Sequence, residues 1–240
     1  AGLDLVYCTS NTVPENLDAQ AAVVVYDLTF ASHPQFHTQE NIQLCERSFE
    51  RAVSRDCHFV AISESTRADF IKHYGIEASR VSLAYCGVDL VAFSPKNRIA
   101  VESVRQKYGL PERYFLCVGS IEPRKNLETL LRAMALYRGR ETLVVVGAMG
   151  WDNSKLHELL GQNRDKVRFL GYVPQGDLPA LYTAAQATLY PSIYEGFGYP
   201  VVESMACGTP VLTSNNSSLK EIGQGAALLV DDPLDPVAIL

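Results

Sequence analysis

Two basic residues in the stretch "CVGSIEPRKNLETLLRAM" have a spacing that suits the binding of an anion. Arg124 and Lys125 follow an apolar run that predicts a strand, and they precede a stretch whose apolar spacing predicts a helix capped by Asn126. The positive end of a helix disfavours cations but favours anions. A diphosphate bound between the helix end and the two basic residues would suit both, because arginine can donate two parallel hydrogen bonds and lysine supplies a compact positive charge. The alternative is a solvated surface pair bonded to Glu122 or Glu128.

A second candidate, "YEGFGYPVVESMACGTP", places two carboxylates around a glycine-rich turn. Glu195 lies in the predicted loop, and Glu203 is predicted in the first turn of a helix that begins at Pro200. Carboxylates at the end of a strand accept hydrogen bonds from sugar hydroxyls, and Gly196 and Gly198 allow close approach of the backbone to a ligand. The alternative for Glu203 is a purely structural one, since the helix dipole alone favours an acid in a first turn.

Two familiar interpretations of this second stretch fail. A dinucleotide-binding fingerprint needs a third small residue at the position of Val201. A glycosidase carboxylate pair would need a sugar groove rich in tryptophan, and the chain has one tryptophan, Trp151.

A third candidate is Asp27, which follows the apolar run in "VVVYDLTFASHPQFH". His33 and His37 lie a few residues further on. Asp27 either supplies a catalytic group on the acceptor side, or it caps a turn while the histidines are merely exposed, and the sequence leaves both open.

Nine short apolar runs alternate with amphipathic stretches. The strands and helices that these predict must position the candidate functional residues. The predicted strands cover residues 21–28, 58–63, 81–86, 114–120, 142–148, 167–173, 187–192, 210–214 and 226–231. Runs that are apolar throughout are typical of parallel strands covered on both faces, with helices as crossovers. The sequence therefore predicts an open α/β architecture, in which ligands bind at the carboxyl ends of the strands.

The charged stretch "FSPKNRIAVESVRQKYGLPERY" interrupts this alternation and is the predicted domain boundary. It separates residues 1–105 from residues 106–240. The chain lacks an initial methionine and stops within an apparent helix turn, so we expect both domains to be incomplete.

Composition excludes several classes of function. The net charge of −6 is divided equally between residues 1–108 and 109–240, which argues against a nucleic-acid partner. The six cysteines are scattered without a C-x-x-C pair, which favours reduced thiols, a cytoplasmic location and no metal site. No apolar run approaches the ~20 residues that cross a bilayer, so membrane contact is predicted to be peripheral at most.

The motifs taken together resemble retaining glycosyltransferase family 4, also called glycosyl transferases group 1. The resemblance rests on "EPRKN" at 122–126, "GYV" at 171–173, "EGFG" with the glutamate eight positions after its first residue, and "CGTPV" at 207–211. It runs from about Asp27 to the last residue. It implies the GT-B fold, which has two Rossmann-like domains around a donor cleft.

The resemblance also implies roles for individual residues. Arg124 and Lys125 would hold the donor diphosphate, and Glu195 would bind the hydroxyls of the donor sugar. Glu203 would accept from the ribose hydroxyls. The remaining implied donor contacts come from backbone: Val173 beside the base, Gly119 under the phosphates, and Gly196, Phe197 and Gly198 beside the sugar and phosphate. Members of the family need no metal ion, and they are thought to retain the anomeric configuration by front-side attack.

Two positions depart from the family pattern. Many relatives have His-Asp where this chain has Tyr26-Asp27, and a tyrosine cannot supply a neutral ring nitrogen. Relatives with "PNGVD" have an asparagine at the position of Cys86.

The leading hypothesis is a hexosyltransferase, such as a mannosyl- or glucosyltransferase. It would use a GDP- or UDP-linked sugar and a glycan or lipid-linked saccharide acceptor, as in polysaccharide or O-antigen assembly. A nucleotide-sugar epimerase on the same fold and a non-catalytic sugar-nucleotide binding fragment are the alternatives.

Overall fold

The computed structural model describes residues 3–14, 17, 19–148, 158–161, 163 and 165–240, so Trp151 lies outside the described residues. The chain divides into two compact units. The first comprises Ala1–Gly87 with Glu195–Phe197, and the second comprises Val88–Tyr194 with Gly198–Leu240. Residue 105, the boundary predicted from sequence, lies within the helix Arg98–Tyr108 of the second unit.

The first unit is built on a sheet of four parallel strands in the order β1-β2-β3-β4. The strands are β1 (Leu5–Cys8), β2 (Gln20–Val25), β3 (His58–Ala61) and β4 (Val81–Leu83). The helices are α1 (Thr29–Ser32), α2 (Gln39–Ser54) and α3 (Glu64–Tyr74), with 3₁₀ turns at Pro34–Phe36 and Ala78–Arg80.

Aromatic packing dominates the core of this first unit. Phe49 and Phe59 are fully buried and both contact the ring of Phe70, with centroid separations of 5.1 and 4.5 Å. These contacts join α2, β3 and α3, because each element contributes one of the three rings. The end of β3, which leads through Ser63 into α3, is thereby fixed to the core.

The second unit is built on a sheet of six parallel strands. The strands are β5 (Tyr114–Val118), β6 (Thr142–Val146), β7 (Val167–Gly171), β8 (Ala187–Tyr190), β9 (Val211–Ser214) and β10 (Leu228–Val230). The helices are α4 (Arg98–Tyr108), α5 (Leu127–Leu136), α6 (Leu178–Ala184), α7 (Tyr199–Ala206) and α8 (Ser217–Gly223). The 3₁₀ turns are Pro123–Lys125 and Gln175–Asp177.

The strand order of this sheet, β10-β9-β8-β5-β6-β7, reverses direction at β5. From β5 the chain builds β6 and β7 on one side, and it then returns to place β8 on the other. The carboxyl ends of β5 and β8 therefore form a topological switch point, where the loops diverge and leave room for a ligand. Both basic residues of the first motif lie in the loop after β5.

The nine strands predicted from sequence are all present, and most end earlier than predicted. The run 114–120 forms a strand as far as Val118, and 187–192 as far as Tyr190. The residues beyond these ends form the loops that carry the candidate site. The edge strand β1 was not predicted, since its "LVYC" is short and three of its four side chains are not buried.

Candidate functional site

The loops that follow β5 and β8 are joined by hydrogen bonds at the switch point. The amide N–H of Ile193 donates to the carbonyl of Arg124 at 2.9 Å. The side-chain amide of Asn126 donates to the carbonyl of Pro191, also at 2.9 Å. These hydrogen bonds fix the loop after β5 relative to the loop after β8.

Arg124 is held by two acceptors. One guanidinium nitrogen donates to the carbonyl of Tyr194 at 2.7 Å, and the other lies 2.8 Å from the Glu122 carboxylate. The Arg124 side chain is 15% exposed. The ion pair with Glu122 considered from sequence exists, but the arginine is largely buried and anchored rather than solvated.

Lys125 lies beside the same carboxylate. Its Nζ donates to the phenol oxygen of Tyr190 at 2.8 Å and lies 4.0 Å from Glu122 Oε1. Nζ is also 5.4 Å from the centroid of the Tyr190 ring. Two cations therefore lie beside the Glu122 carboxylate in a half-buried setting.

The expected cap by Asn126 is wrong. Asn126 does occupy the position before α5, but its backbone is left-handed with φ of 59°, and its side chain makes no capping bond. The amide instead donates to the carbonyls of Pro191 at 2.9 Å and Pro233 at 2.6 Å. The left-handed turn that ends the preceding 3₁₀ helix directs the side chain away from the first turn of α5. Asn126 thus links the start of α5 to the loops that follow β8 and β10.

Glycines follow three neighbouring strands at this edge of the sheet. Gly119 follows β5, Gly147 follows β6 and Gly171 ends β7, with φ values of 152°, 154° and 70°. A Cβ at Gly147 would lie 1.8 Å from the carbonyl oxygen of Gly119. Gly119 itself lies beside the side chains of Lys125 and Tyr190. The role of Gly147 was missed, although a glycine directly after the run "TLVVV" marks a strand end where backbones meet.

Glu203 lies in the second turn of α7, which corrects the prediction of a first-turn position, because α7 begins at Tyr199. The helix dipole therefore does not explain the glutamate at this position, because its effect is confined to the first turn. The Oε2 atom of Glu203 accepts a hydrogen bond of 2.8 Å from the phenol of Tyr182 in α6. Burial raises the pKa of the Glu203 carboxyl above its ordinary value, and the hydrogen bond from Tyr182 opposes this shift.

The EGFG segment is buried throughout. Glu195 is 6% exposed and Phe197 also 6%. Gly198 has φ of 111° and lies directly before α7, where a Cβ would meet the side chain of Leu219 at 2.7 Å. Gly196 belongs to the first compact unit, and in that unit a Cβ on it would lie 1.9 Å from the carbonyl oxygen of Tyr26. Gly196 is therefore required by close backbone approach, whereas Gly198 is favoured by its positive φ.

Val173 is 4% exposed and packs in the core of the second unit two residues after the end of β7. Its neighbour Tyr172 is 78% exposed. The backbone contact of Val173 with the base therefore stays a prediction.

Asp27 does cap a turn. Its Oδ1 accepts from the backbone N–H of Thr29 at 2.9 Å and from the Thr29 hydroxyl at 2.6 Å. The same hydroxyl lies 2.9 Å from Nε2 of His37, so His37 is joined to Asp27 through Thr29. The turn-capping alternative is therefore confirmed for Asp27, and its catalytic role stays a prediction.

The two residues that depart from the family pattern lie in the first unit. The phenol of Tyr26 donates to the carbonyl of Thr9 at 2.9 Å, and the Cys86 thiol is half-buried. Across the residues that the structure describes, no cluster of three or more His, Cys, Asp or Glu could hold a metal ion. Within the same residues, no helix combines the length and apolar character needed to cross a membrane.

The comparison with known proteins centres on the second unit. The family model described as "Glycosyl transferases group 1" matches residues 101–239, which is more than half of the chain. The chain belongs to the glycosyl transferases group 1 family. The resemblance seen in the motifs is thereby confirmed at the level of this family, and so is the prediction of a glycosyltransferase sequence.

Among curated members of the group 1 family, "O-antigen chain mannosyltransferase B" of Escherichia coli is 36% identical over 246 aligned residues. The alignment covers 98% of this chain and 63% of that protein. The group 1 chain described here therefore spans less than two thirds of the length of this relative.

Solved structures agree on the fold. The Anabaena protein HepE, determined "in complex with UDP and glucose", has a TM-score of 0.78 at 21% identity, covering 98% of this chain and 67% of that one. WaaG, "a glycosyltransferase involved in lipopolysaccharide biosynthesis", has a TM-score of 0.77 at 23% identity, covering 99% and 67%. The predicted α/β fold with two parallel-sheet domains of the GT-B type is confirmed.

Proposed function

We propose that this group 1 chain forms the greater part of a retaining hexosyltransferase of family 4. The enzyme takes mannose or glucose from a GDP- or UDP-linked donor and transfers it to a glycan or lipid-linked saccharide. The mannosyltransferase name of the Escherichia coli relative and the UDP bound by HepE support this choice of donor and product class.

The observation that carries the proposal is the half-buried cluster of Glu122, Arg124 and Lys125 at the switch point. Its two cations lie where parallel sheets bind ligands. A diphosphate bound there accepts hydrogen bonds from both cations, and its negative charge attracts them. Interactions between charges are stronger here than on an open surface, because surrounding protein excludes water.

In the proposed reaction, the bond between the anomeric carbon and the diphosphate oxygen breaks, and its electron pair passes to the leaving diphosphate. Arg124 and Lys125 stabilise the negative charge that develops there, which is the main catalytic effect. The acceptor hydroxyl forms the new bond on the same face of the sugar, and its proton passes to an oxygen of the leaving phosphate. No metal ion is assigned to this step.

The remaining residues bind and orient the donor. Glu203 accepts from the ribose hydroxyls, and Glu195 accepts from those of the sugar. The backbone of Val173 meets the base. Asp27, held by Thr29, belongs to the acceptor side of the reaction. We assign the reaction to the cytoplasmic face of a membrane, with peripheral contact at most.

The test is a transfer assay on the protein as it occurs in the cell. Labelled GDP-mannose, GDP-glucose, UDP-glucose and UDP-galactose are each supplied with a lipid-linked saccharide, and the anomeric configuration of the product is read by NMR. Transfer with retained configuration is expected from one or more donors. Inverted product contradicts the mechanism, a new nucleotide sugar formed without acceptor indicates an epimerase, and donor binding without turnover indicates a binding module.

A further inference from the structure

Tyr182 carries a buried polar group that the proposed mechanism does not use. Its side chain is fully buried in the core of the second unit, and its phenol donates to Glu203 Oε2 at 2.8 Å. A buried phenol needs a hydrogen-bond partner, but a backbone carbonyl serves equally well, as Tyr114 shows by donating to Leu181 at 2.7 Å. Tyr182 instead uses the partly buried carboxylate of Glu203.

This hydrogen bond fixes a side chain that would otherwise sample several rotamers. A glutamate in a helix has three side-chain torsions, and ordering it costs free energy each time a ligand binds. Tyr182 comes from α6 and Glu203 from α7, so the bond joins two elements of the sheet's helical layer. With Oε2 engaged, the lone pairs of Oε1 are held in one direction in the unliganded protein.

We propose that Tyr182 is a positioning residue for ribose recognition, because its phenol holds the Glu203 carboxylate in the orientation that accepts hydrogen bonds from the ribose 2′- and 3′-hydroxyls. The inference rests on the proposed function, since it takes Glu203 to be the ribose acceptor. It adds a residue that lies in the apolar core and touches neither base nor phosphate. Tyr182 acts through Glu203 alone, so its effect depends on the ligand having ribose hydroxyls.

That dependence provides the test. Binding of GDP, UDP and their 2′,3′-dideoxy forms to the 240-residue chain is measured by calorimetry at 10 °C, for wild type and for Tyr182→Phe. The nucleotide that binds wild type more tightly is used for the comparison. The wild type should prefer the ribose form by about tenfold or more, as expected for hydrogen bonds to a charged group. Tyr182→Phe should lower this preference at least threefold and leave affinity for the dideoxy form unchanged.

Tyr114→Phe is the matched control. It also removes one hydroxyl group from a fully buried tyrosine of the same unit, but that hydroxyl donates to the backbone carbonyl of Leu181 and not to Glu203. This variant should keep the wild-type preference for ribose. Melting temperatures of both variants establish that the protein is folded at the temperature of measurement.

Glu203→Asp supplies a second variant that leaves the buried phenol intact. The shorter side chain withdraws its carboxylate from Tyr182 and from the ribose, so the preference for ribose should fall at least as far as in Tyr182→Phe. The double variant should show no further loss relative to Glu203→Asp. A wild-type preference in Tyr182→Phe, or additive losses in the double variant, would overturn the role of Tyr182. Failure of the proposed ribose contact looks different, because the wild type itself would then bind both forms equally.

Discussion

Nζ of Lys125 donates a 2.8 Å hydrogen bond to the phenol oxygen of Tyr190, the last residue of β8. The bond crosses the switch point, since Lys125 belongs to the loop after β5. It holds the lysine beside Arg124 and Glu122 although the lysine stem is flexible. A positive charge of set position thus exists before any ligand binds.

Tyr190→Phe should weaken nucleoside-diphosphate binding about three- to tenfold. The variant keeps the ring beneath Nζ but removes the phenol oxygen that orients the lysine. The hydrogen bond that is lost is one made by a charged group. Affinity for the corresponding nucleoside, which has no phosphate, should not change. Equal losses for nucleoside and diphosphate in calorimetry would show that Tyr190 supports the pocket in general.

Arg124→Lys should weaken diphosphate binding about tenfold or more, although charge is conserved. Arg124 bonds the Tyr194 carbonyl and the Glu122 carboxylate at once, and a lysine has no planar fork to do so. The surface exchange Arg132→Lys keeps the i,i+4 pairing with Glu128 and is the control, which should bind like wild type. Wild-type affinity in Arg124→Lys contradicts the site.

Glu203→Gln should affect stability and binding in opposite directions. Burial raises the pKa of Glu203 above 4.5, so its contribution to stability is present below that value and is lost as pH rises through the folded pKa. The unliganded variant should therefore gain melting temperature relative to wild type at pH 8, and this gain should shrink toward pH 4. Nucleotide affinity at pH 8 should fall. A gain that is constant with pH would show that ionisation of Glu203 is not its source.

Gly147→Ala should lower the free energy of unfolding by about 2–4 kcal/mol, because a Cβ would overlap the Gly119 carbonyl at 1.8 Å and φ is 154°. Displacement of Gly119 should also weaken diphosphate binding. Gly176→Ala is the control, since its Cβ meets nothing within 4 Å, and its stability should match wild type. Urea unfolding of both variants measures the difference, and equal unfolding curves would rule out the close approach.

Asp27→Asn should abolish transfer while leaving nucleoside-diphosphate affinity unchanged, because the donor contacts lie in other residues. Asp89→Asn is a matched control, as Asp89 Oδ1 also accepts two hydrogen bonds at the start of a turn, from Val91 and Ala92. It should retain transfer activity. Loss of nucleotide binding in Asp27→Asn would move this residue to the donor side.

The sequence was sufficient for the sheet of each unit but not for the bonds that shape the site. Period and composition located nine strands because buried parallel strands are apolar throughout. They also located Leu127, Leu130, Leu131 and Met134, all buried in α5 as their spacing predicted. These features are local in sequence, so local reasoning finds them.

What could not be predicted depends on contacts between distant residues. Tyr182 and Tyr190 are indistinguishable from core aromatics until their phenols are seen beside Glu203 and Lys125. The capping prediction for Asn126 failed for the same reason, since tertiary acceptors outcompeted the local one. The position of Glu203 was misjudged by one turn, because proline is accepted at more than one early position of a helix.

The bond between Asn126 and the carbonyl of Pro233 joins residues 107 positions apart. During synthesis on the ribosome, β5 and the loop with Arg124 and Lys125 emerge long before Pro233. The amide of Asn126 cannot form this hydrogen bond until Pro233 has been synthesised. The loop after β5 therefore reaches its final form only after β10 has been made. The geometry of the loop with Arg124 and Lys125 therefore depends on a residue that is synthesised 107 positions after Asn126.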